Sequence, residues 1–182
     1  MHCIRAAVAC LALPLVGCGR LLTVEIDTEA TTTIEGGTVL EAVVGDLGFG
    51  GFLAIDVTDN ETLKNQGVEP GDLVAVALRA LTLEAEDGDG DLAFIEEIEV
   101  FAEAPDLDAV QVAWADTFES GDALVAMNIP DVDLVDYATS AQMTLRSEAR
   151  ARRPTQTTRV RARATLEVQA TVRGAARQAG AR

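Results

Sequence analysis

A strict alternation of polar and apolar residues near the end of the chain most constrains its fold. Apolar side chains occupy every second position from Val160 to Val172, and arginine, threonine, glutamate or glutamine stands between them. A period of two places successive side chains on opposite faces of a β-strand and does not fit a helix. The pattern therefore predicts a long strand with one face in a core and the other in water.

The same period recurs along the chain. It runs through Leu22 to Ile34 and through Ala141 to Arg150, and it changes phase at Arg79-Ala80 within Leu73 to Ala85. The phase change predicts a β-bulge or a strand buried on both faces. Shorter strands are predicted at residues 39–44, 52–57, 98–104, 110–114 and 124–129. Because Pro154 favours a turn, we expect the last two long strands to form a terminal hairpin.

Helical signals are few and short. Thr58 and Glu61 have capping-box spacing at the start of a helix predicted over Thr58 to Gln66, and Gly67 follows it as a C-terminal glycine. A second short helix is predicted over Val132 to Ala138, and a single helical turn over Phe94 to Glu97. The expected fold is all-β: an antiparallel β-sandwich, Ig-like in outline, with one or two short helices.

The first residues predict a targeting segment. Arg5 precedes an apolar run of eleven residues, Ala6 to Val16, which is too short to span a bilayer but fits the core of a signal peptide. The sequence Leu15-Val16-Gly17-Cys18 resembles the lipobox of bacterial lipoproteins. In that family the chain is cut before the cysteine, and the cysteine carries the lipid. The resemblance implies lipidation at Cys18.

This resemblance also implies a location and a domain organisation. Gly19, rather than aspartate, follows the cysteine, which in this family implies the outer membrane, with the protein periplasmic or surface-exposed in the cell envelope. We therefore expect a signal peptide at 1–17, a lipidated tether at 18–20, a sandwich domain at 21–173 and a disordered tail at 174–182. Segments at 63–68, 81–83 and 94–105 also resemble secreted lipoproteins of high-GC bacteria, without implying an activity.

Composition narrows the chemistry. The only histidine, His2, and two of the three cysteines, Cys3 and Cys10, precede Cys18. The expected mature chain therefore lacks Ser-His-Asp triads, Cys-His nucleophiles and zinc sites built from His or Cys. The net charge of −16 argues against a nucleic-acid partner. Two carboxylates could still hydrolyse a glycoside, but few aromatic residues are present to hold a sugar, and we expect no enzyme.

Charge divides the chain unevenly. Residues 21–145 carry 28 acidic side chains against Lys64 and Arg79, whereas residues 146–182 carry ten arginines against Glu148 and Glu167. No Pro/Ser-rich linker separates the two parts, so we expect one domain with a polarised surface.

The densest acidic cluster is Asp87-Gly88-Asp89-Gly90-Asp91. Alternating carboxylates on a flexible loop suit Ca²⁺, so Asp87, Asp89 and Asp91 are candidate metal ligands. A standard EF-hand loop is excluded because Leu92 and Ile98 stand where glycine and glutamate are required. The alternative is a hydrophilic turn between two strands.

Arg159, Arg161 and Arg163 form a stripe on one face of the last strand, with Arg146 and Arg150 expected nearby. The stripe could bind phosphate or carboxylate groups of a polysaccharide or an envelope protein. The alternative is cross-strand pairing with acidic residues, for example those at positions 25, 27 and 29 if the first and last strands are neighbours.

Together these features predict a non-enzymatic lipoprotein of the outer membrane. It would act as a structural or interaction module, with the membrane as one partner and an envelope protein or polysaccharide as another. The alternative function is a Ca²⁺- or glycan-dependent adhesive binding module, which would make Ca²⁺ the one cofactor.

Overall fold

Strands dominate the part of the chain that the structure describes. The computed structural model describes residues 20–37, 42–45, 53–55, 57–140 and 142–172. The strands are β1 (Arg20–Ile34), β2 (Ala42–Gly45), β3 (Leu53–Ile55), β4 (Leu73–Ala85), β5 (Ile95–Glu103), β6 (Val110–Ala115), β7 (Leu124–Ala126), β8 (Met143–Arg152) and β9 (Thr158–Val172). The α-helices are α1 (Glu61–Asn65) and α2 (Val135–Thr139), and Val57–Asp59 and Pro70–Asp72 form 3-10 turns.

The strands form two antiparallel sheets. The first has the order β1-β9-β4-β7, and the second has the order β2-β8-β5-β6, with β3 pairing to β8 as well. β2 pairs with the end of β8 and β3 with its start, so both lie along the same edge of β8. The prediction of an all-β antiparallel sandwich with short helices is confirmed.

The strand order is that of a jelly roll. The first half of the chain pairs with the second half in reverse: β1 with β9, β2 and β3 with β8, β4 with β7, and β5 with β6. The chain therefore behaves as one long antiparallel ribbon that turns between β5 and β6. Wrapping this ribbon brings β9 beside β4 and β8 beside β5, which completes the two sheets. The Ig-like outline holds for the two packed sheets but not for the strand order.

The core lies between the two sheets. Along β9 the apolar members of the alternation are buried, and Leu166, Val168 and Ala170 are fully so. Along β8 the same holds for Met143 and Leu145. Because β8 and β9 bury every second side chain, and β1 turns its apolar side chains partly buried towards the same core, the alternation in the sequence becomes the division between core and outer face.

Strand β4 matches its predicted span, and its bulge is confirmed. The register against β9 shifts between Leu78 and Ala80, which leaves Arg79 as the extra residue. The bulge explains the phase change in the sequence, because it lets Val76 and Leu78 on one side and Leu81 and Leu83 on the other all face the core.

The helices differ from prediction in their boundaries. The N-cap of α1 is Asn60, whose side chain accepts hydrogen bonds from the backbone N–H groups of Thr62 and Leu63 at 3.0 and 3.3 Å. Gly67 follows the helix with φ of +69°, as a terminal glycine does. The helical turn predicted over residues 94–97 is wrong, because β5 begins at Ile95.

The terminal hairpin is also wrong. β8 belongs to the second sheet and β9 to the first, so the connection at residues 153–157 crosses between the sheets. Alternation shows which face of a strand is buried but not which strand it pairs with. The hairpin was therefore predicted only from the proximity of the two strands in the sequence and from Pro154 between them. As a consequence, Arg146 and Arg150 do not lie near the stripe of residues 159–163, because the two sets occupy the outer faces of opposite sheets.

Several predictions fall beyond the part of the chain that is described. The signal peptide, Cys18 and the tail at 174–182 lie outside the described residues. Within the described ranges, no helix is long and apolar enough to cross a membrane.

Candidate functional site

The aspartate loop, Asp87 to Asp91, connects β4 to β5 at one end of the sandwich. Asp87 faces the start of β9, where its carboxylate accepts a hydrogen bond from the backbone N–H of Arg159 at 2.6 Å. The Arg159 guanidinium lies 3.6 Å from the same carboxylate. This first aspartate therefore ties the loop to the central strand of the first sheet.

Asp89 binds a different segment. Its carboxylate accepts hydrogen bonds from the backbone N–H and the hydroxyl of Thr155, and from the backbone N–H of Gln156 at 3.4 Å. The hydrogen bond from the Thr155 side chain is the main reason that the pKa of the Asp89 carboxyl falls below its ordinary value. The second aspartate thus fixes the connection that crosses from β8 to β9.

Asp91 binds a third segment. Its carboxylate accepts the backbone N–H of Gly121 at 2.9 Å in the turn before β7, the hydroxyl of Ser120 at 3.5 Å, and the backbone N–H of Ala93 at 3.2 Å. The three carboxylates therefore bind three separate parts of the chain, and the loop cross-links one end of the sandwich.

Gly88 lets the loop approach β9 this closely. Its φ is +73°, and a Cβ built there would lie 2.3 Å from the Thr158 hydroxyl and 2.7 Å from the Thr157 carbonyl oxygen. Gly90 has a similar φ of +76° but open space around it.

The three aspartates do not converge on one point. In the described ranges, no group of three or more Asp, Glu, His or Cys side chains is arranged to hold a metal ion. The alternative, a turn between strands, matches the position of the loop. The sequence did not reveal its three binding partners, because they lie 30 to 72 residues away along the chain.

The arginine stripe lies on the outer face of β9, between β1 and β4. Arg161 forms an ion pair with Glu86, and Arg159 forms one with Asp87. Arg163 lies 3.6 Å from Glu29. Each arginine of the stripe therefore has a carboxylate partner inside the same molecule, which favours the cross-strand alternative over an open anion site.

Arg163 also bridges to the other neighbouring strand. Its Nη1 lies 3.2 Å from Oε2 of Glu84 on β4, an ion pair without the alignment of a hydrogen bond. The acidic residues at the end of β4, Glu84 and Glu86, are partners that the sequence reasoning missed. Glu84 lies in the predicted strand and Glu86 directly follows it, and this spacing of two was the available signal.

The acidic residues of β1 form fewer ion pairs with the arginine stripe than expected. β1 does pair with β9, but of its three acidic residues only Glu29 lies opposite an arginine, because threonines face Arg159 and Arg161. Asp27 accepts a hydrogen bond from the Thr165 hydroxyl at 2.7 Å. Glu25 lies opposite Glu167, whose carboxylate instead pairs with Arg79 of the β4 bulge at 2.6 Å. This contact with Arg79 lowers the pKa of Glu167.

The outer face of the second sheet has its own ion pairs. Arg146 contacts Glu103 at 2.7 Å and also Glu148, and these two glutamates raise the pKa of its guanidinium. Arg150 lies 3.8 Å from Glu97. The Arg146 guanidinium also lies 5.4 Å from the centre of the Phe101 ring, a cation–π contact.

Comparisons with known proteins do not identify a family for this chain. No protein-family model and no curated protein matches the chain. Among solved structures, a decameric BFDV capsid protein matches 83% of this chain and 99% of its own at 14% identity and a TM-score of 0.41. A 60-mer of BFDV capsid protein matches 85% and 95% at 10% identity and a TM-score of 0.38. Nothing about the function of this chain follows from these two similarities.

Proposed function

We propose that the protein is a lipid-anchored lipoprotein of the bacterial outer membrane that acts as a non-enzymatic structural or interaction module. The observation that carries the proposal is the lipobox-like sequence Leu15-Val16-Gly17-Cys18 behind a short apolar run. Lipid on Cys18 would hold the sandwich at the membrane, since each buried methylene contributes about 0.8 kcal/mol and two or more chains anchor stably.

The start of the fold supports this arrangement. β1 begins at Arg20, so only Gly19 separates the cysteine from the first strand. At about 3.3 to 3.6 Å per residue, the two steps from Cys18 to Arg20 reach roughly 7 Å. A lipid on Cys18 would therefore place the β1 end of the first sheet close to the membrane surface.

The chemistry of the chain supports a role without catalysis. After Cys18 the sequence contains no histidine and no further cysteine. The two most charged features, the aspartate loop and the arginine stripe, use their side chains to hold the sandwich together. We therefore infer that the protein acts through contacts made by its surface.

Metabolic labelling with an alkyne fatty acid, followed by membrane fractionation, tests the anchor. We expect the wild-type chain to carry label and to sediment with outer membranes, and Cys18→Ser to lose both properties. Cys10→Ser is the matched control, because Cys10 lies in the segment that would be removed, and it should behave as wild type. Label retained by Cys18→Ser, or an unlabelled and soluble wild-type chain, would contradict the proposal.

The alternative function, an adhesive binding module, separates into two forms. The Ca²⁺-dependent form relied on Asp87, Asp89 and Asp91, whose carboxylates bind three other segments. The glycan-dependent form has one observation in its favour, which is an exposed tryptophan, Trp114, on the outer face of the second sheet.

A further inference from the structure

Trp114 lies on the outer face of β6, at the edge of the second sheet. Its neighbours in the strand, Ala113 and Ala115, are buried, whereas 38% of Trp114 is exposed. It is the only tryptophan in the sequence. Exposure alone says little, because single apolar side chains are common on protein surfaces. The groups that surround the indole carry the argument.

Polar side chains border Trp114 on both sides. Asn128 forms an isolated bridge with it, through backbone hydrogen bonds of 2.9 and 2.8 Å, and so lies next to it on the same face. On the other side, Glu99 of β5 is its register partner. The amide nitrogen of Gln111 donates a hydrogen bond to Glu99 at 2.7 Å, which holds both side chains in place.

The border of Trp114 therefore places two carboxamides and a carboxylate around an apolar ring. The Asn128 amide nitrogen also donates a hydrogen bond to the Trp114 carbonyl oxygen at 3.4 Å, so the Asn128 amide oxygen is the group that it turns to a ligand. A sugar has the complementary form, because one face of its ring presents C–H groups and its edge presents hydroxyls. The hydroxyls can both donate and accept hydrogen bonds, as carboxamides can. An indole face bordered by such groups is therefore suited to a ring that is apolar on its face and polar at its rim.

The charges of this face favour an uncharged ligand. Arg146 is held by Glu103 and Glu148, and Arg150 by Glu97. An anionic ligand would have to compete with these glutamates for the arginines and would be repelled by the Glu99 carboxylate, and a cationic ligand would have to compete with the Gln111 amide for that carboxylate. A neutral ligand leaves all of the pairs intact.

The shape of the face favours a chain over a single small molecule. On the same outer face, Phe101 of β5 pairs in register with Gln111 of β6, next to the Glu99–Trp114 pair. The Arg146 guanidinium lies over the Phe101 ring. These residues continue the outer face along β5 and β6 from Trp114, so more than one unit of an extended chain can contact it.

We propose that the face around Trp114, with Asn128, Glu99 and Gln111 at its border, binds a neutral oligosaccharide. The proposal deepens the glycan-dependent form of the alternative function. It does not depend on lipid at Cys18.

Fluorescence of the single tryptophan reports binding directly. The probes are the neutral tetramers of N-acetylglucosamine and of maltose-type glucose, with tetragalacturonate as an acidic comparison and a chitosan tetramer as a cationic one. The full chain is kept in lauryldimethylamine oxide, a detergent without a sugar headgroup. We expect a saturable change with at least one neutral tetramer, and binding about tenfold weaker or worse for both charged tetramers.

Substitutions locate the site by calorimetry. Trp114→Ala should raise the Kd of the neutral tetramer at least about tenfold, and Trp114→Phe should raise it less, because part of the aromatic face remains. Leu124→Ala is the matched control, since Leu124 is an apolar side chain that is 58% exposed on the other sheet, and it should leave the Kd unchanged. Thermal melting of each variant confirms that it is folded.

Three results would overturn the proposal: no binding of either neutral tetramer up to about 20 mM, preference for a charged tetramer, or equal loss in Trp114→Ala and Leu124→Ala. Cys18→Ser should bind the neutral tetramer as wild type does. Failure of sugar binding with normal membrane anchoring would therefore reject this inference alone, and loss of anchoring with normal sugar binding would reject only the proposed lipidation.

Discussion

Replacing Ser147 by alanine should stabilise the protein. Ser147 lies on the inner face of β8 and is 4% exposed, and its hydroxyl has no hydrogen-bond partner among the residues that the structure describes. It borders a small void in the core whose other lining residues, within the described part of the chain, are all apolar: Leu81, Leu83, Ile98, Val100, Leu145 and Ala162. A buried hydroxyl without a partner is a source of instability that the substitution removes.

A water molecule does not remove this cost. The void offers only about 10 Å³ to the centre of a water molecule, at the lower limit for one to enter. A buried water also needs two to four polar partners, and among the described residues that line the void the Ser147 hydroxyl is the only polar side-chain group. We therefore treat the void as dry.

The expected size of the effect follows from two opposing contributions. An unsatisfied buried polar group costs about 1 to 3 kcal/mol. Removing the oxygen enlarges the void by on the order of 15 Å³, which at about 24 cal/mol per Å³ costs roughly 0.4 kcal/mol. Ser147→Ala should therefore raise the free energy of unfolding by about 0.6 to 2.6 kcal/mol. For a chain of this size, each kcal/mol corresponds to an increase in Tm of roughly 2 to 4 °C.

Thr158→Val is the matched control. Thr158 is also fully buried, but its hydroxyl donates a hydrogen bond to the carbonyl oxygen of Gln156 at 3.0 Å. Deleting this satisfied hydroxyl should lower the free energy of unfolding by about 1 to 3 kcal/mol, the opposite sign. Urea denaturation at constant m-value measures both changes. If Ser147→Ala is destabilising, the hydroxyl has a partner and the reasoning is refuted.

The aspartate loop and the arginine stripe give three further predictions. Gly88→Ala should destabilise the fold by at least about 2 kcal/mol, because the positive φ and the contact with Thr158 both oppose a Cβ. Gly90→Ala is the control, since a Cβ there meets only the strain of a positive φ. Equal melting temperatures of the two variants would contradict this prediction. Asp89→Asn should lower stability at pH 7 by a few tenths to about 1 kcal/mol. Since folding lowers the pKa of Asp89, its contribution is present above the unfolded pKa of about 3.9 and disappears as the pH falls through the folded value, so the difference from wild type should shrink in acid urea titrations. Replacing Arg159, Arg161 and Arg163 together by Gln should reduce the free energy of unfolding by about 1 kcal/mol at low salt and by much less in 1 M NaCl. Association of the protein with envelope fractions should not change. Lost association at unchanged stability would instead support an anion site.

The period of two in the sequence predicted most of the fold. It located β4 to the residue and β1, β8 and β9 to within two residues, because burial of alternate side chains is a local property of the strand. It also located the bulge at Arg79, where the extra residue shifts the phase.

The pairing of strands could not be predicted in the same way. Which strand lies beside β9 depends on how the ribbon wraps, and the alternation of β8 and β9 is as compatible with a hairpin as with strands that face each other across the core. The helix cap differs for a more local reason: Asn60 and Thr58 both have side chains that can cap, and Asn60 is the one whose oxygen reaches two free N–H groups.

The position of β9 has a consequence for when the domain can fold. The strand lies between β1 and β4, and the Asp27–Thr165 hydrogen bond joins residues 138 positions apart. Until synthesis has passed residue 172, the first sheet therefore lacks β9, the strand that joins β1 to β4. A fold with such distant contacts forms slowly and late. A chain that is still being made, or still crossing a membrane, thus stays open until its last long strand is available.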